Sequence, residues 1–230
     1  MAGCGTDCCR YSHLLKMVSS MPKTCLIAAM TLCGHIGPHT FASPEDRQHL
    51  EYWRDKSDAS LMGAATLRDA DPEMRGSGGI LKANRIRAFI SASGDIPFDG
   101  RRAFLHGPPP LIFTSEYLAE PLQKKAGSRA KVLIADTEDT GLNLKHVLEI
   151  LKNKGVKTLL LEGGGGLNRE ALKQGVVDEL LLTLCPVICG SSNAVPFVRK
   201  GRPLHETGHW RLAAHRTGKF GEIFLHYKKT

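Results

Sequence analysis

The chain has 230 residues, of which 42% are hydrophobic and 23% are charged, the composition of an ordinary globular protein. No apolar run reaches the roughly 18 residues that a membrane span needs, so we predict no membrane association. The net charge of +8 is scattered along the chain rather than gathered in a basic stripe, which favours small anionic ligands over nucleic acid.

The cysteines and the N-terminus limit the class of protein further. The seven cysteines show neither paired C-x-x-C motifs nor histidines at zinc-finger spacing, so we expect reduced thiols and no metal site. Residues 1–22 are interpreted as a flexible extension, and they lack the apolar segment of a signal peptide, which predicts a cytoplasmic protein. Residues 23–230 contain no repeat and no low-complexity linker, and we interpret them as a single domain.

Short apolar runs alternate with helical patterns in the first half of this domain. The first strand is predicted over Thr24–Met30, and a helix follows with Ser43 as its N-cap and Pro44 as its first residue. The segment "ASLMG" predicts a strand that ends at Gly63. The next segment, "AATLRDADP", predicts a helical turn that Pro72 stops.

The second half continues the alternation. Strands are predicted in "RIRAFIS", "PPLIFTS" and "AKVLIAD", followed by a helix in "NLKHVLEILKNKG" and a strand in "KTLLLEG". A helix in "LNREALKQG" and a strand in "DELLLTLCPVI" come next, and the chain closes with a hairpin of strands 209–217 and 222–228. Strands separated by helices indicate a mostly parallel sheet, to which the hairpin adds an antiparallel edge, so the predicted fold class is α/β.

Two strand-to-helix turns contain glycine, one at Gly63 and one in "LLEGGGGLN" at Gly163. Glycines let backbone N–H groups approach an anion where a helix begins, so the pyrophosphate of a dinucleotide could lie between the two turns. The G-x-G-x-x-G fingerprint of the usual dinucleotide-binding fold is absent. On pattern alone, a dinucleotide site and two purely structural turns are equally supported.

Three segments carry a resemblance to a known family: "LMGAATLRDADP", "FISASGDIP" and "LLLEGGGGLNREALKQGVVDELLLTLCPVICG". Together they resemble the reductase domain of riboflavin-biosynthesis deaminase-reductases, over about residues 25–227. The zinc signature of the deaminase partner, H-x-E with P-C-x-x-C, is missing, so the resemblance is to a divergent stand-alone reductase. It implies a dihydrofolate-reductase-like three-layer fold, and an enzyme that uses NADPH to reduce a phosphoribosylamino-pyrimidine to its ribityl form.

The resemblance also implies roles for individual residues. Glu162 is expected to act in proton transfer or to hold sugar hydroxyls, with bonding to the glycine-loop amides as an equal alternative. Arg54 is expected to grip the substrate phosphate unless it is a solvated helix residue, and Thr31 and Asp71 are further substrate-binding candidates. Cofactor binding is expected from seven residues, of which the two serines favour NADPH over NADH: Gly63, Thr66, Ser91, Ser93, Gly163, Gly164 and Gly165.

Several positions depart from the family pattern on the substrate side. The family's S-L-D-G-K is "TLCGH" here, so Cys33 replaces an aspartate and His35 replaces a lysine. Ile27 stands at a lysine position, and Ala70 stands at an acidic position that Asp71 could serve after a small shift. We therefore expect a retained NADPH site, a changed substrate side and weak activity on the standard riboflavin intermediate.

Two other functions stay open from the residues. A dihydrofolate-reductase-like pterin reductase would need a buried acid on the first helix, for which Glu45, Asp46 and Glu51 are candidates. A non-catalytic NADP-binding protein would keep the cofactor cleft and lose the chemistry. Turnover of NADPH with a panel of aminopyrimidines would separate this last function from both reductases.

The C-terminal hairpin predicts a homodimer. Its apolar residues Leu212, Phe224 and Leu225 alternate too weakly to fill one core. The family pattern pairs such strands across a two-fold axis, and an exposed sheet edge would otherwise promote unwanted association.

Overall fold

A computed structural model of the chain describes residues 21–37, 43–138, 141–191, 193–201, 204 and 208–230. Its strands are β1 (Lys23–Thr31), β2 (His35–Ile36), β3 (Ala59–Gly63), β4 (Ile86–Ile90), β5 (Leu111–Thr114), β6 (Lys131–Ile134), β7 (Thr137–Glu138), β8 (Gly141–Leu142), β9 (Thr158–Leu161), β10 (Glu179–Cys185), β11 (Val195–Pro196), β12 (Trp210–Thr217) and β13 (Ile223–Lys229). Its helices are α1 (Pro44–Asp55), α2 (Ala64–Ala70), α3 (Arg102–Leu105), α4 (Glu116–Ala126), α5 (Leu144–Asn153) and α6 (Gly165–Lys173), with a 3₁₀ turn at Ser77–Gly79.

A nine-stranded sheet forms the centre of the molecule, in the order β12-β13-β10-β1-β9-β3-β4-β5-β6. The strands from β10 to β6 are parallel to one another. By contrast, β13 runs antiparallel to β10, and β12 runs antiparallel to β13. The predicted α/β fold, with a mostly parallel central sheet and a C-terminal antiparallel hairpin, is confirmed.

Helices cover both faces of this sheet. On one face, Leu151 of α5 packs in a cluster with Leu159 and Leu161 of β9, which α6 also joins. On the other face, Trp53 of α1 packs against a cluster that contains Leu160, while α2 and α4 cover β4 and β5. Each fully buried leucine contributes about 1.5–3 kcal/mol of transfer free energy, so the short strand β9 is held from both sides. This is the predicted three-layer arrangement.

Local sequence explains where one helix begins and why another escapes prediction. The Oγ atom of Ser43 accepts a hydrogen bond from the N–H of Asp46 at 3.1 Å, and Pro44 is the first residue of α1, as predicted. The sequence analysis leaves α4 out because Pro121 stands inside it, and proline within a helix removes a backbone hydrogen bond. The adjacent turns of α4 tolerate that loss at the surface.

The predicted extension, residues 1–22, lies almost wholly outside the described residues. Its separation from one domain over residues 23–230 therefore stays a prediction. Within the described ranges, no helix combines the length and the apolar composition needed to cross a membrane. In the same ranges, no three His, Cys, Asp or Glu side chains are grouped so that they could hold a metal ion.

Candidate active site

The carboxyl ends of the central strands bring most of the predicted site residues to one edge of the sheet. β1 ends at Thr31, β3 ends at Gly63, and β9 and β4 are followed directly by Glu162 and Ser91. The four strands are parallel and consecutive in the sheet. Ligands of open α/β sheets bind outside this edge, so it is the candidate active site.

The two glycine turns lie side by side at this edge. A Cβ atom built on Gly164 would lie 2.9 Å from Oγ1 of Thr66, and one built on Gly63 would lie 3.8 Å from Cβ of Leu167. Gly63 and Gly164 are the N-cap residues of α2 and α6, and neither supplies a side chain that accepts a hydrogen bond. The first N–H groups of both helices therefore receive no acceptor from an N-cap side chain, an arrangement suited to the pyrophosphate of a dinucleotide.

Different neighbours explain the other glycines of the second turn. A Cβ on Gly163 would collide with Oδ1 of Asn168, and a Cβ on Gly165 would collide with the carbonyl oxygen of Pro196. A Cβ on Gly166 would meet nothing within 4 Å. Packing within the protein thus requires two of the four glycines, and a ligand is not needed to explain them. Gly164 is the one that faces the neighbouring helix start.

Asn168 also lies in this region, and no sequence pattern points to it. It is fully buried, and its amide nitrogen donates a hydrogen bond to the carbonyl of Phe197 at 2.8 Å. Its Oδ1 atom has no hydrogen-bond partner among the described residues. Buried polar atoms are normally paired, so this unpaired acceptor is an exception in the protein interior beside the glycine turn.

The predicted 2′-phosphate site lies in the turn after β4. Ser91 is buried, and its Oγ atom lies 3.5 Å from Oγ of the exposed Ser93. Ser93 also accepts a hydrogen bond from the N–H of Asp95 at 3.3 Å. Arg68 of α2 pairs with Asp95 at 3.1 Å, which brings a guanidinium next to the serine turn. The sequence analysis misses Arg68 because only the packing of α2 places it there.

Arg54 and Glu162, which the sequence analysis gives separate roles, bind each other. The Nε atom of Arg54 donates to the two carboxylate oxygens of Glu162 at 3.0 and 3.1 Å, and Nη2 donates to Oε2 at 2.5 Å. Nη1 donates to the carbonyl of Arg75 at 3.0 Å. Arg54 is 4% exposed and Glu162 is 7% exposed. Arg54 thus faces a buried carboxylate rather than an open cleft, which does not favour direct phosphate binding by its guanidinium.

Ser60 and Arg85 complete this buried network. The Oγ atom of Ser60 donates to Oε1 of Glu162 and accepts from Nη2 of Arg85. Burial by itself would raise the pKa of Glu162, but the charge and hydrogen bonds of Arg54 and the bond from Ser60 outweigh it and lower the pKa. Glu162 is therefore ionised at neutral pH: it can stabilise positive charge, but it has no proton to donate. Its alternative role, bonding to the glycine-loop amides, is not among the contacts of its carboxylate.

The other two predicted substrate residues lie apart from each other. Thr31 is fully buried at the end of β1, and its Oγ1 atom accepts a hydrogen bond from the N–H of His35 at 3.0 Å. Asp71 is the C-cap residue of α2 and pairs with Arg102 at 3.1 Å. A helix rises by 1.5 Å per residue, so Asp71 lies about 12 Å along α2 from Gly63. Asp71 thus lies away from the glycine turns, and Thr31 lies five residues beyond the β1 residue that pairs with the end of β9.

The departures from the family pattern have distinct structural consequences. Ile27 is 7% exposed and packs in the core cluster with Leu160, so the lysine position of the family is part of the core here. Cys33 is exposed in the loop after β1, within 3.4 Å of Nδ1 of His35. Ala70 ends α2 and is partly exposed.

Of the three acids considered for a pterin reductase, only Asp46 is buried. It is 8% exposed, and burial raises its pKa. Glu45 is bound instead by Arg216 and by the N–H of Lys219 at 2.8 Å. A buried acid on α1 is thus present, and geometry alone does not separate the two reductase types.

Comparison with known families distinguishes between the two reductase types. The family model described as the RibD C-terminal domain matches residues 22–222. The chain belongs to this family. Membership of the RibD C-terminal domain family confirms the predicted resemblance and supports a riboflavin-biosynthesis reductase over a pterin reductase. It identifies the protein as an oxidoreductase and implies a nicotinamide cofactor.

Individual relatives agree with the family. The 2,5-diamino-6-ribosylamino-4(3H)-pyrimidinone 5′-phosphate reductase of Methanothermobacter thermautotrophicus is 31% identical over 179 residues, which are 75% of this chain and 82% of the relative. The structure of Acinetobacter baumannii RibD superimposes with a TM-score of 0.74 at 21% identity, over 91% of this chain and 58% of that one. Dihydrofolate reductase of Enterococcus faecalis, complexed with NADP(H), gives a TM-score of 0.50 at 15% identity, over 90% of this chain and 96% of that one. The two structures confirm the dihydrofolate-reductase-like fold.

Proposed function

We propose that the protein is an NADPH-dependent reductase of a phosphoribosylamino-pyrimidine, of the riboflavin-biosynthesis type. The observation that carries this proposal is the contact between the starts of α2 and α6, where Gly164 approaches Thr66 at the carboxyl edge of the sheet. The family match covers both turns. The activity in the name of the Methanothermobacter relative supports the pyrimidine substrate.

The residues at this edge fit NADPH. The N–H groups that follow Gly63 and Gly164 would hold the pyrophosphate, with the Thr66 hydroxyl between them. Ser91 and Ser93 would hold the 2′-phosphate through their hydroxyl groups, and Arg68 would join them by exchanging its partner Asp95 for the phosphate. Gly163 and Gly165 keep the turn tight against the protein. When bound, NADPH supplies the hydride.

Glu162 contributes charge rather than a proton. Reduction of an imine carbon is favoured when positive charge on the imine nitrogen is stabilised. Glu162 would supply that stabilisation through the part of its charge that its buried partner Arg54 leaves uncompensated. Arg54 and Ser60 hold the carboxylate in place, so we assign Glu162 as the catalytic candidate and Arg54 as its positioning residue. Thr31 stays a candidate for substrate binding, and Asp71 is a weaker one because Arg102 occupies its carboxylate.

Because Glu162 occupies Arg54, we attribute the attraction of an anionic substrate to the net positive charge of the protein. The net charge of +8 attracts a phosphorylated substrate to the molecule as a whole. Ile27 and Cys33 replace charged family residues, so the sugar and the base should be held by different contacts. The expectation of weak activity on the standard intermediate rests on these two positions and on Ala70, and the cytoplasmic location stays a prediction.

A homodimer through the C-terminal hairpin is part of the proposal. β12 is the edge strand of the sheet, and all of its residues after Trp210 are exposed in the single chain. Leu212 is 43% exposed and Ile223 is 36% exposed, as expected of an edge that a partner covers. Phe224, in contrast, is buried at 3% exposure with Arg216 over its ring, so it belongs to the core of the single chain.

Direct hydride transfer can be tested with NADPH that carries deuterium on the transferring carbon. The proposal predicts one deuterium on the first carbon of the ribityl chain, detected by NMR of the product. Product without deuterium would exclude direct transfer, and binding of NADPH without any product would favour the non-catalytic alternative.

A further inference from the structure

Two cysteines meet in the loops that follow neighbouring parallel strands. Cys33 comes two residues after β1, and Cys189 comes four residues after β10, in strands that pair Thr31 with Cys185. The N–H of Leu32 donates to the carbonyl of Val187 at 2.9 Å, so the two loops stay together beyond the sheet. The Sγ atom of Cys33 lies 3.2 Å from the backbone nitrogen of Cys189.

This distance puts a disulfide within reach. Because N and Cα of one residue are about 1.46 Å apart, the sulfur of Cys33 lies no more than about 4.7 Å from Cα of Cys189. A disulfide needs an S–S distance of about 2.05 Å and Cβ atoms about 3.5–4.5 Å apart. The Cys33 sulfur already lies at the backbone of Cys189, so side-chain rotation with a small adjustment of the two exposed loops would bring the sulfurs together.

The surroundings of Cys33 make it the more nucleophilic sulfur. Hydrogen bonds with the Thr31 hydroxyl at 3.2 Å, with Nδ1 of His35 at 3.4 Å and with the N–H of Cys189 lower the pKa of Cys33 to about 7. His35 is the titratable side chain that faces this sulfur within the described residues. The thiol is exposed, so it combines solvent access with a substantial thiolate fraction at neutral pH.

The buried cysteines provide an internal contrast. Burial raises the pKa of Cys25 to about 12 and that of Cys185 to about 11. Both are therefore protonated and shielded from reagents at neutral pH.

We propose that Cys33 and Cys189 form a redox-active pair, in which a peroxide oxidises Cys33 and Cys189 then closes an intramolecular disulfide. In the first step the Cys33 thiolate attacks one peroxide oxygen, the O–O bond breaks, and water leaves to give a sulfenic acid. In the second step the sulfur of Cys189 attacks the Cys33 sulfur, the S–O bond breaks, and a second water leaves. Two thiols lose two electrons in all, and one peroxide is reduced to two waters.

The disulfide would fix the substrate side of the candidate active site. The N–H of Phe197 donates to the carbonyl of Gly34 at 2.8 Å, and the N–H of Arg199 donates to the carbonyl of Gly165 at 2.9 Å. The segment after β10 therefore connects the Cys33 loop to the start of α6. We expect the disulfide to slow turnover. This effect on turnover rests on the proposed function, whereas formation of the disulfide does not.

Peptide mapping of the full-length protein tests the pair without substrate or cofactor. Reduced protein is treated with hydrogen peroxide, its remaining thiols are alkylated, and the tryptic peptides are fragmented by mass spectrometry. We expect residues 24–47 and 174–199 to be joined through Cys33 and Cys189, and the link should disappear after dithiothreitol treatment or in Cys33→Ser and Cys189→Ser. No link in the wild type, or a link from Cys33 to Cys4, Cys8 or Cys9 in its place, would overturn the proposal.

Alkylation rates measured against pH test the activation of Cys33. We expect half-maximal labelling of Cys33 near pH 7, and a midpoint shifted towards the ordinary thiol value of about 8.5 in His35→Ala. Cys25 and Cys185 of the same molecules should stay unlabelled in both proteins. Labelling of wild-type Cys33 with a midpoint near 8.5 would contradict its role as the attacking thiol. Since neither readout uses NADPH, failure here leaves the proposed reductase function untouched.

Discussion

Replacing Arg54 with alanine removes the main partner of a buried carboxylate. Glu162 is 7% exposed and receives three hydrogen bonds from the Arg54 guanidinium. Removing one member of a buried ion pair typically costs about 3–5 kcal/mol, because the remaining charge is left without compensation. Since Arg85 and Ser60 stay near Glu162, we expect Arg54→Ala to lower the free energy of unfolding by about 3 kcal/mol, the lower end of this range.

The pH dependence of this loss provides an independent check. In the wild type, the folded-state pKa of Glu162 is lowered, so its contribution to stability is complete above the unfolded value of about 4.3 and is lost as the pH falls through the folded value. In Arg54→Ala, the rise in the pKa of Glu162 that burial causes is opposed much less, so its carboxyl takes up a proton more readily. The difference in stability between the two proteins should therefore shrink as the pH falls from about 7 towards about 4.

Urea unfolding followed by circular dichroism, at several pH values, measures both quantities. Lys124→Ala is the matched control, since it breaks a surface ion pair with Glu120 whose side chains are 76% and 78% exposed, and it should leave stability almost unchanged. If Arg54→Ala raised KM while stability stayed within about 1 kcal/mol of the wild type, Arg54 would bind the substrate phosphate directly. The positioning role assigned to it would then be wrong.

Three further predictions concern the cofactor and the dimer. Gly164→Val places a branched side chain against Thr66 and should weaken NADPH binding by about tenfold or more, whereas Gly166→Val, which faces open space, should not. Equal NADPH affinities of the two variants in fluorescence titrations would contradict pyrophosphate binding at the turn of Gly164. NADPH should bind about tenfold more tightly than NADH, and Ser93→Ala should reduce that preference; identical affinities would remove the 2′-phosphate assignment. The protein should sediment as a dimer at micromolar concentration, with Leu212→Glu shifted to the 25.1 kDa monomer; a monomeric wild type would exclude the dimer.

The sequence predicts the fold well because its signals are local and mutually consistent. Alternating apolar runs and helical patterns place the strands β1, β3 and β9, and the Ser43–Pro44 pair fixes the start of α1. The helix α4, which contains Pro121, is not predicted. The order of the strands in the sheet is not predicted, since local patterns do not specify which strands are neighbours.

The site is less predictable because its geometry depends on contacts between distant residues. Sequence separation is 108 residues between Arg54 and Glu162, and no local pattern shows that the two side chains bind each other. Ser60 and Arg85 are missed for the same reason, as a serine in a strand and an arginine before one give no sign of burial. The run of four glycines is correctly located. Ligand binding does not explain all of them, since the nearby Asn168 side chain leaves no room for a Cβ atom on Gly163.

The most direct test of the reductase assignment is turnover of NADPH with the two forms of the pyrimidine, each supplied to the purified full-length protein. The substrates are 2,5-diamino-6-ribosylamino-4(3H)-pyrimidinone 5′-phosphate and 5-amino-6-(5-phosphoribosylamino)uracil, and oxidation of NADPH is followed by absorbance. We predict stoichiometric formation of a ribityl product from at least one of them, with Glu162→Gln lowering kcat more than it raises KM. Tight NADPH binding with no oxidation by either substrate would contradict the assignment and leave a protein that binds the cofactor without using it.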